Sequence, residues 1–181
     1  FDDSESIKNR FNVYLDNIQY DAKFIFEKVG YMLEPSEIGC AYGLEQLKKL
    51  ETFTKRRDEV TKKHLDFFSK YNEFFELPKM NENANSSWFA FPLIVKENAP
   101  FTRTDLQIYL EERNIQTRVI FTGNIIRQPA FKGIEKKISN NGYPVADRVM
   151  SRGFLLGNHH GLTEEMINHV HDSVETFIKK Y

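Results

Sequence analysis

SSWFAFPLIVKENAPFTRTDLQIYLEERNIQTRVIF, Ser86 to Phe121, is the stretch whose reading decides the fold. Trp88 to Val95 is dense in aromatic and β-branched residues, which suit a pleated and half-buried surface, so it reads as a strand. Thr102, followed three residues later by Asp105, is a helix-start pattern in which each side chain satisfies the other's backbone amide. Leu106, Tyr109, Leu110 and Arg113 carry that helix to Asn114. Ile115 to Phe121 then returns as a second strand. Working outward, Pro144 to Met150 reads as a short helix and Phe154 to Gly157 as a third strand. Thr163 to Tyr181 reads as a last helix with Met166, Val170, Val174, Phe177 and Tyr181 on one face. Strands alternating with helices imply an α/β (α+β) arrangement, one small sheet covered by helices.

Before this region, Pro35 pushes Glu34 toward an extended conformation, Ser36 offers a helix cap, and Glu37 suits the positive end of the helix dipole. From Ile38 to Tyr71 apolar residues recur at three- and four-residue steps, interrupted only at Lys55, Arg56 and Arg57, which predicts one long amphipathic helix, straight or bent, ahead of the sheet. Gly39 and Gly43, four apart, would let another backbone approach closely. The first twenty residues show no sustained period, and Asp2 to Ser6 make a solvated start in which little function is expected.

The 181 residues are 40% hydrophobic and 28% charged, which excludes disorder for most of the chain. Twenty-five Lys and Arg against 26 Asp and Glu give a net charge of -1, so no field attracts a phosphate backbone and no nucleic-acid partner is expected. A single cysteine, Cys40, cannot close an intramolecular disulfide, which points to a reducing, cytoplasmic setting. No apolar run approaches the roughly 20 residues that span a bilayer, and no membrane insertion is expected. The chain opens on Phe1 rather than Met, so it is expected to be a fragment of a longer protein.

Neither a dinucleotide fingerprint nor a Walker phosphate loop is present, and no Gly-x-Ser-x-Gly elbow exists. His159-His160 and His169-x-His171 point to different sides of their backbone and are read as solvated or capping side chains, so no metal site is expected. The informative stretch is Thr117 to Pro129, TRVIFTGNIIRQP, where Arg118, Asn124, Arg127 and Gln128 leave a strand end together. A guanidinium there meets an anion as a two-pronged fork or closes an internal salt bridge; composition leaves both open.

Four blocks read together add a resemblance. GYMLEPSEIGCAYGLEQLKKL at Gly30 to Leu50, SSWFAFP at Ser86 to Pro92, IQTRVIFTGNIIRQPAF at Ile115 to Phe131 and YPVADRVMSRGFLLGNHHGLT at Tyr143 to Thr163 stand in the order found in the DegT/DnrJ/StrS-like nucleotide-sugar enzymes. The chain resembles most the branch holding the CDP-4-keto-6-deoxyglucose 3-dehydratases. These are fold-type-I proteins that use pyridoxal phosphate (PLP), or its amine form PMP. The resemblance implies the small C-terminal domain of such an enzyme: residues 1–34 left over from the large domain, 35–76 a long connecting helix, and 77–181 the small domain.

It further implies a homodimer acting on a nucleotide-linked keto-deoxy sugar, by transamination or C3 dehydration, in lipopolysaccharide, O-antigen or other glycan biosynthesis. The cofactor would be held mainly by the missing N-terminal domain, where the Schiff-base Lys or His also belongs; no catalytic residue is expected in this chain. Tyr31 and Ser36 match the segment that reaches the partner subunit's cofactor phosphate, although Met32 stands where the family commonly has a hydrogen-bonding Asn. Arg118, Phe121, Asn124 and Arg127 match the block at the mouth of the substrate site. The radical branch carries cysteines just before the place of Arg10-Phe11; with Ser4 and Ser6 and no Cys there, an iron-sulfur cluster is not expected. The alternative is a non-catalytic dimerisation or scaffold domain that kept the fold.

Overall fold

The computed structural model describes residues 10–31, 33–84 and 86–181. The solvated start at Asp2 to Ser6 and the departure at Met32 lie outside the described residues. The chain divides into two units, residues 1–44 and 45–181.

In the first unit β1 (Val13–Leu15) and β2 (Ile18–Tyr20) form an antiparallel hairpin in a stretch that carries no sustained hydrophobic period. Leu15 pairs with Ile18, so Asp16 and Asn17 make a two-residue turn, with φ of 48° and 69°. Such turns need left-handed residues, and Asp and Asn are the non-glycine types that tolerate it best. Arg10 clasps Asp21 through Nε, at 2.7 Å, and Nη2. Helix α1 (Glu37–Leu47) is capped as its sequence suggests: the Ser36 hydroxyl accepts from the Gly39 amide at 3.1 Å. No residue of α1 is buried, although Ile38, Tyr42, Leu44 and Leu47 are all apolar. A Cβ at Gly43 would meet nothing within 4 Å, and one at Gly39 only the Ser36 hydroxyl at 3.0 Å, so no backbone among the described residues uses the gap.

The expected single long helix is two. The Lys49 amide donates to the Gln46 carbonyl at 3.0 Å, a three-residue bond that closes α1, and α2 (Leu50–Phe68) starts afresh. After a 3-10 turn at Ser69–Tyr71 comes β3 (Phe75–Glu76), then β4 (Ala90–Val95), α3 (Arg103–Glu111), β5 (Arg118–Val119), α4 (Pro144–Arg152), β6 (Gly153–Gly157) and α5 (Glu164–Ile178).

The sheet has the order β3-β4-β6-β5, every pair antiparallel. β4 and β5, joined through α3, thus flank β6, which returns from the far end of the sequence. β3 reaches only Ile94 and Val95, so at Pro92 the strand has a neighbour on one side alone, where a missing N–H is tolerated. Phe91, Leu93 and Val95 alternate into the core, joined by Phe154 and Leu156, and are covered by Phe68 of α2, Leu106 and Leu110 of α3, and Val174 and Phe177 of α5. The predicted box at Thr102 and Asp105 is present in both directions, at 2.9 and 3.1 Å.

The second strand is shorter than its sequence suggests. Ile115 turns into the core, the Thr117 amide goes to the Glu111 carboxylate instead of a ladder partner, and Phe121 adopts φ 47°, so only Arg118 and Val119 pair with β6.

Candidate functional site

The loop leaving β5 is where polar side chains concentrate, and it is built tightly. Phe121 is left-handed, a conformation that costs a bulky residue about 1–2 kcal/mol, and its ring is 84% exposed. Gly123 follows at φ 60°; a Cβ there would lie 2.5 Å from the Met150 side chain, so glycine is required twice over, by angle and by space. Gln128 Nε2 donates to the Thr122 carbonyl at 2.9 Å and ties the two ends of the loop.

Asn124 is buried and works in both directions. Its Oδ1 accepts from the Ile126 amide at 3.3 Å and caps the 3-10 turn Ile125–Arg127, while its Nδ2 donates to Asp147 Oδ1 at 2.7 Å. Arg127 forks onto the same carboxylate through Nε and, at 2.7 Å, through Nη2. These donors, Arg127 first and Asn124 second, hold the Asp147 carboxyl down to about 2. Asp147 was not singled out by sequence reasoning. It stands on α4, 20 residues beyond Arg127, and no local spacing links the two.

The arginines between residues 100 and 155 have different occupations. Arg103 donates to the Met150 carbonyl, Arg113 to that of Tyr109 and Arg152 to that of Lys96; Arg148 pairs with Glu76. The Arg118 side chain makes no hydrogen bond or ion pair among the described residues. It is exposed, stands opposite Leu155 on the ladder, and lines a shallow depression of about 270 Å³ with Phe89, Gln116 and Gly157. The loop side offers a second, open hollow of about 580 Å³ where Arg127, Asp147, Arg148 and Ser151 meet. Of the four residues read as a substrate group, then, Asn124 and Arg127 are brought together on Asp147, while Phe121 and Arg118 stand free.

The histidines have separate occupations. His169 Nε2 lies 3.0 Å from the Arg113 carbonyl, and His171 Nε2 lies 3.0 Å from Nδ1 of the buried His64 while its ring stacks on Phe67 at 4.0 Å. His160 stacks on Phe53 at 3.7 Å, and His159 Nδ1 accepts from the Gly161 amide. Tyr31, in the first unit, is 94% exposed, and Ser36 is engaged as the cap of α1. The start of α1 leaves the amides of Glu37 and Ile38 without an intrahelical acceptor.

The chain belongs to the DegT/DnrJ/EryC1/StrS aminotransferase family, whose profile matches residues 2–175. It is 34% identical over 158 residues to the lipopolysaccharide biosynthesis protein RfbH of Salmonella typhimurium, covering 87% of this chain and 36% of that protein. It is 34% identical over 175 residues to the dTDP-4-dehydro-2,6-dideoxy-D-glucose 3-dehydratase of Saccharopolyspora spinosa, covering 96% and 37%. The chain therefore spans little more than a third of the length of these relatives. Among solved structures, the Escherichia coli GDP-4-keto-6-deoxy-D-mannose 3-dehydratase with bound hydrated PLP superposes with a TM-score of 0.73 at 30% identity, covering 83% of this chain and 38% of that one. DesV of S. venezuelae, in complex with a ketimine intermediate, superposes at 0.76 with 18% identity over 88% and 41%, which speaks to fold alone. The fold is that of the C-terminal portion of the PLP-dependent sugar enzymes of fold type I.

Proposed function

We propose that this chain is the small C-terminal domain of a PLP-dependent enzyme that transaminates or C3-dehydrates a nucleotide-linked keto-deoxy sugar in lipopolysaccharide, O-antigen or other glycan biosynthesis. The observation that carries the proposal is the β5 exit loop: a strained aromatic and an unpaired guanidinium stand at the open end of the sheet of a chain whose relatives include sugar 3-dehydratases. Arg118 matches a diphosphate in two-pronged fashion, and Phe121 presents a flat apolar surface to a base or sugar ring. Asn124 and Arg127 shape that loop through Asp147.

The boundaries proposed are residues 1–34 as part of a large domain, 35–76 as the helical connection and 77–181 as the small domain. The working enzyme is a cytoplasmic homodimer. The residues present fit only the phosphate end of the cofactor, through the start of α1 near Tyr31 and Ser36, and the Schiff-base residue lies in sequence outside this chain. When bound, PLP supplies an electron sink beside the sugar's carbonyl carbon. The part of this chain is to hold the nucleotide end.

The test is to purify the protein that carries this chain with PLP and offer it GDP-, CDP- and dTDP-linked 4-keto-6-deoxyhexoses, with and without glutamate. Nuclear magnetic resonance of the product separates a 3-deoxy sugar from an amino sugar. Consumption of one of the three substrates supports the proposal; an intact pool of all three favours the non-catalytic scaffold. The 181 residues alone are expected neither to turn over substrate nor to change the absorbance spectrum of added PLP.

A further inference from the structure

We infer that Asp147 is a positioning residue of this site, which fixes the turn carrying Phe121 by holding Asn124 and Arg127, and which leaves Arg118 as the guanidinium free to take the diphosphate. The inference rests on the reading that the loop borders an anionic substrate. Three donors from two loop residues converge on one carboxylate, and bonds of this charged kind are about twice as strong as neutral ones. The carboxylate is itself anchored, because α4 is pinned at several points: Arg148 to Glu76 at 2.6 Å, Arg103 to the Met150 carbonyl at 2.7 Å, and Arg152 to the Lys96 carbonyl at 3.1 Å.

Gly123 brings the turn against Met150 of the same helix. A left-handed Phe121 persists only where its surroundings over-determine it, and the Asp147 clasp together with the Gly123 contact provides that constraint. Arg127 cannot receive a diphosphate as a fork without first surrendering the Nε and Nη2 bonds to Asp147. Arg118 has nothing to surrender.

Two measurements on the 181-residue chain test this. In Asp147→Asn, which keeps the shape and removes the charge, the Ile126 and Gln128 amides are expected to exchange with solvent about tenfold faster, while melting shows the sheet still folded. Asp147→Glu is expected to recover part of the protection. Arg127→Lys, which leaves α4 untouched, is expected to loosen the same amides and serves if the aspartate variant does not fold. Pyrophosphate is then titrated while the arginine Nε resonances are followed. In the unaltered chain Arg118 is expected to shift and Arg127 to stay; in Asp147→Asn, Arg127 is expected to respond as well. Unchanged exchange in both Asp147→Asn and Arg127→Lys overturns the inference and leaves the substrate reading standing. A shift at Arg127 in the unaltered chain overturns the division between the two arginines. Pyrophosphate that moves neither arginine overturns the anionic-substrate reading and the assignment of Arg118 with it.

Discussion

The two faces of the sheet are made from the same strands and have opposite fates. On one face Phe91, Leu93, Val95, Phe154 and Leu156 are sealed beneath α2, α3 and α5. On the other, Ala90, Pro92, Ile94 and Leu155 are only half-buried, and the row they form ends at the exposed Arg118. Register alone separates them, since successive residues of a strand point to opposite sides. The sealed face supplies the stability, which lets the other keep an unpaired charge and a strained turn.

The largest expected effect breaks that division directly. Phe154→Ala, in the sealed face, should cost about 3–5 kcal/mol through lost transfer energy and a cavity. Its neighbour Leu155→Ala should cost well under half as much, because its side is half open already. Urea unfolding followed by the single Trp88 measures both. Equal costs would mean that the second face is as well packed as the first.

A second effect comes from a histidine pair at the sealed face, the buried His64 and the half-buried His171. Burial, and secondarily the neighbouring His171, lower His64 from 6.5 to about 4. Burial, then Lys70 and Lys63, lower His171 from 6.5 to about 4. The unfolded chain therefore binds more protons between these values, so stability should fall as the pH drops from about 6.5 toward 4. For the buried His64 the slope is at most about 1.4 kcal/mol per pH unit. Melting curves at pH 7, 6 and 5 should show the decline, and His64→Leu should flatten it. A slope unchanged in that variant would place the proton uptake elsewhere.

The sealed face was also the more legible one. Alternation in β4, the box at Thr102 and Asp105, and the spacing of α5 from Thr163 onward are local patterns, and each forms within a few residues of where the sequence places it. What escaped depends on partners distant in sequence or on very short pairing. β3 is two residues long and leaves no period to read. The break at Lys48 and Lys49 sits inside an uninterrupted part of the apolar spacing, and the hairpin's only signal was the Asp16-Asn17 pair. At the site, the stretch Thr117 to Pro129 stood out by its Arg, Asn and Gln, yet the side chains did not sort themselves. Whether Arg127 met a substrate or a carboxylate turned on Asp147, whose helix is placed by the fold and not by the spacing.

Helix α3 allows the comparison to be sharpened at smaller scale, because its cap lies at the surface while Leu106 and Leu110 reach the sealed core. Thr102→Ala removes an acceptor for the Asp105 amide and should cost about 1 kcal/mol. Replacing Leu106 by Ala should cost at least twice that. Denaturation midpoints of the two variants give the ratio, and a cap loss as large as the core loss would show that α3 is held by its end more than by its face.

The smallest effect has the opposite sign and belongs to the loop that follows Arg118 out of the open face. Phe121 contributes strain without burial: its φ is 47° and its ring is 84% exposed. Asparagine accepts the left-handed conformation far more readily, because its short side chain bonds locally to the backbone. Unlike glycine, it adds little freedom to the unfolded chain. Phe121→Asn should therefore raise stability by roughly 0.5–1 kcal/mol, visible as a higher urea midpoint with an unchanged slope. Under the proposed function, the same change in the full-length protein should weaken the apparent affinity for the nucleotide sugar. A residue kept in a costly conformation where the fold gains nothing from it is expected to be kept for a ligand. A drop in stability instead would mean that the Phe121 ring is a packing element after all, and the open face would then lose its claim to be the working one.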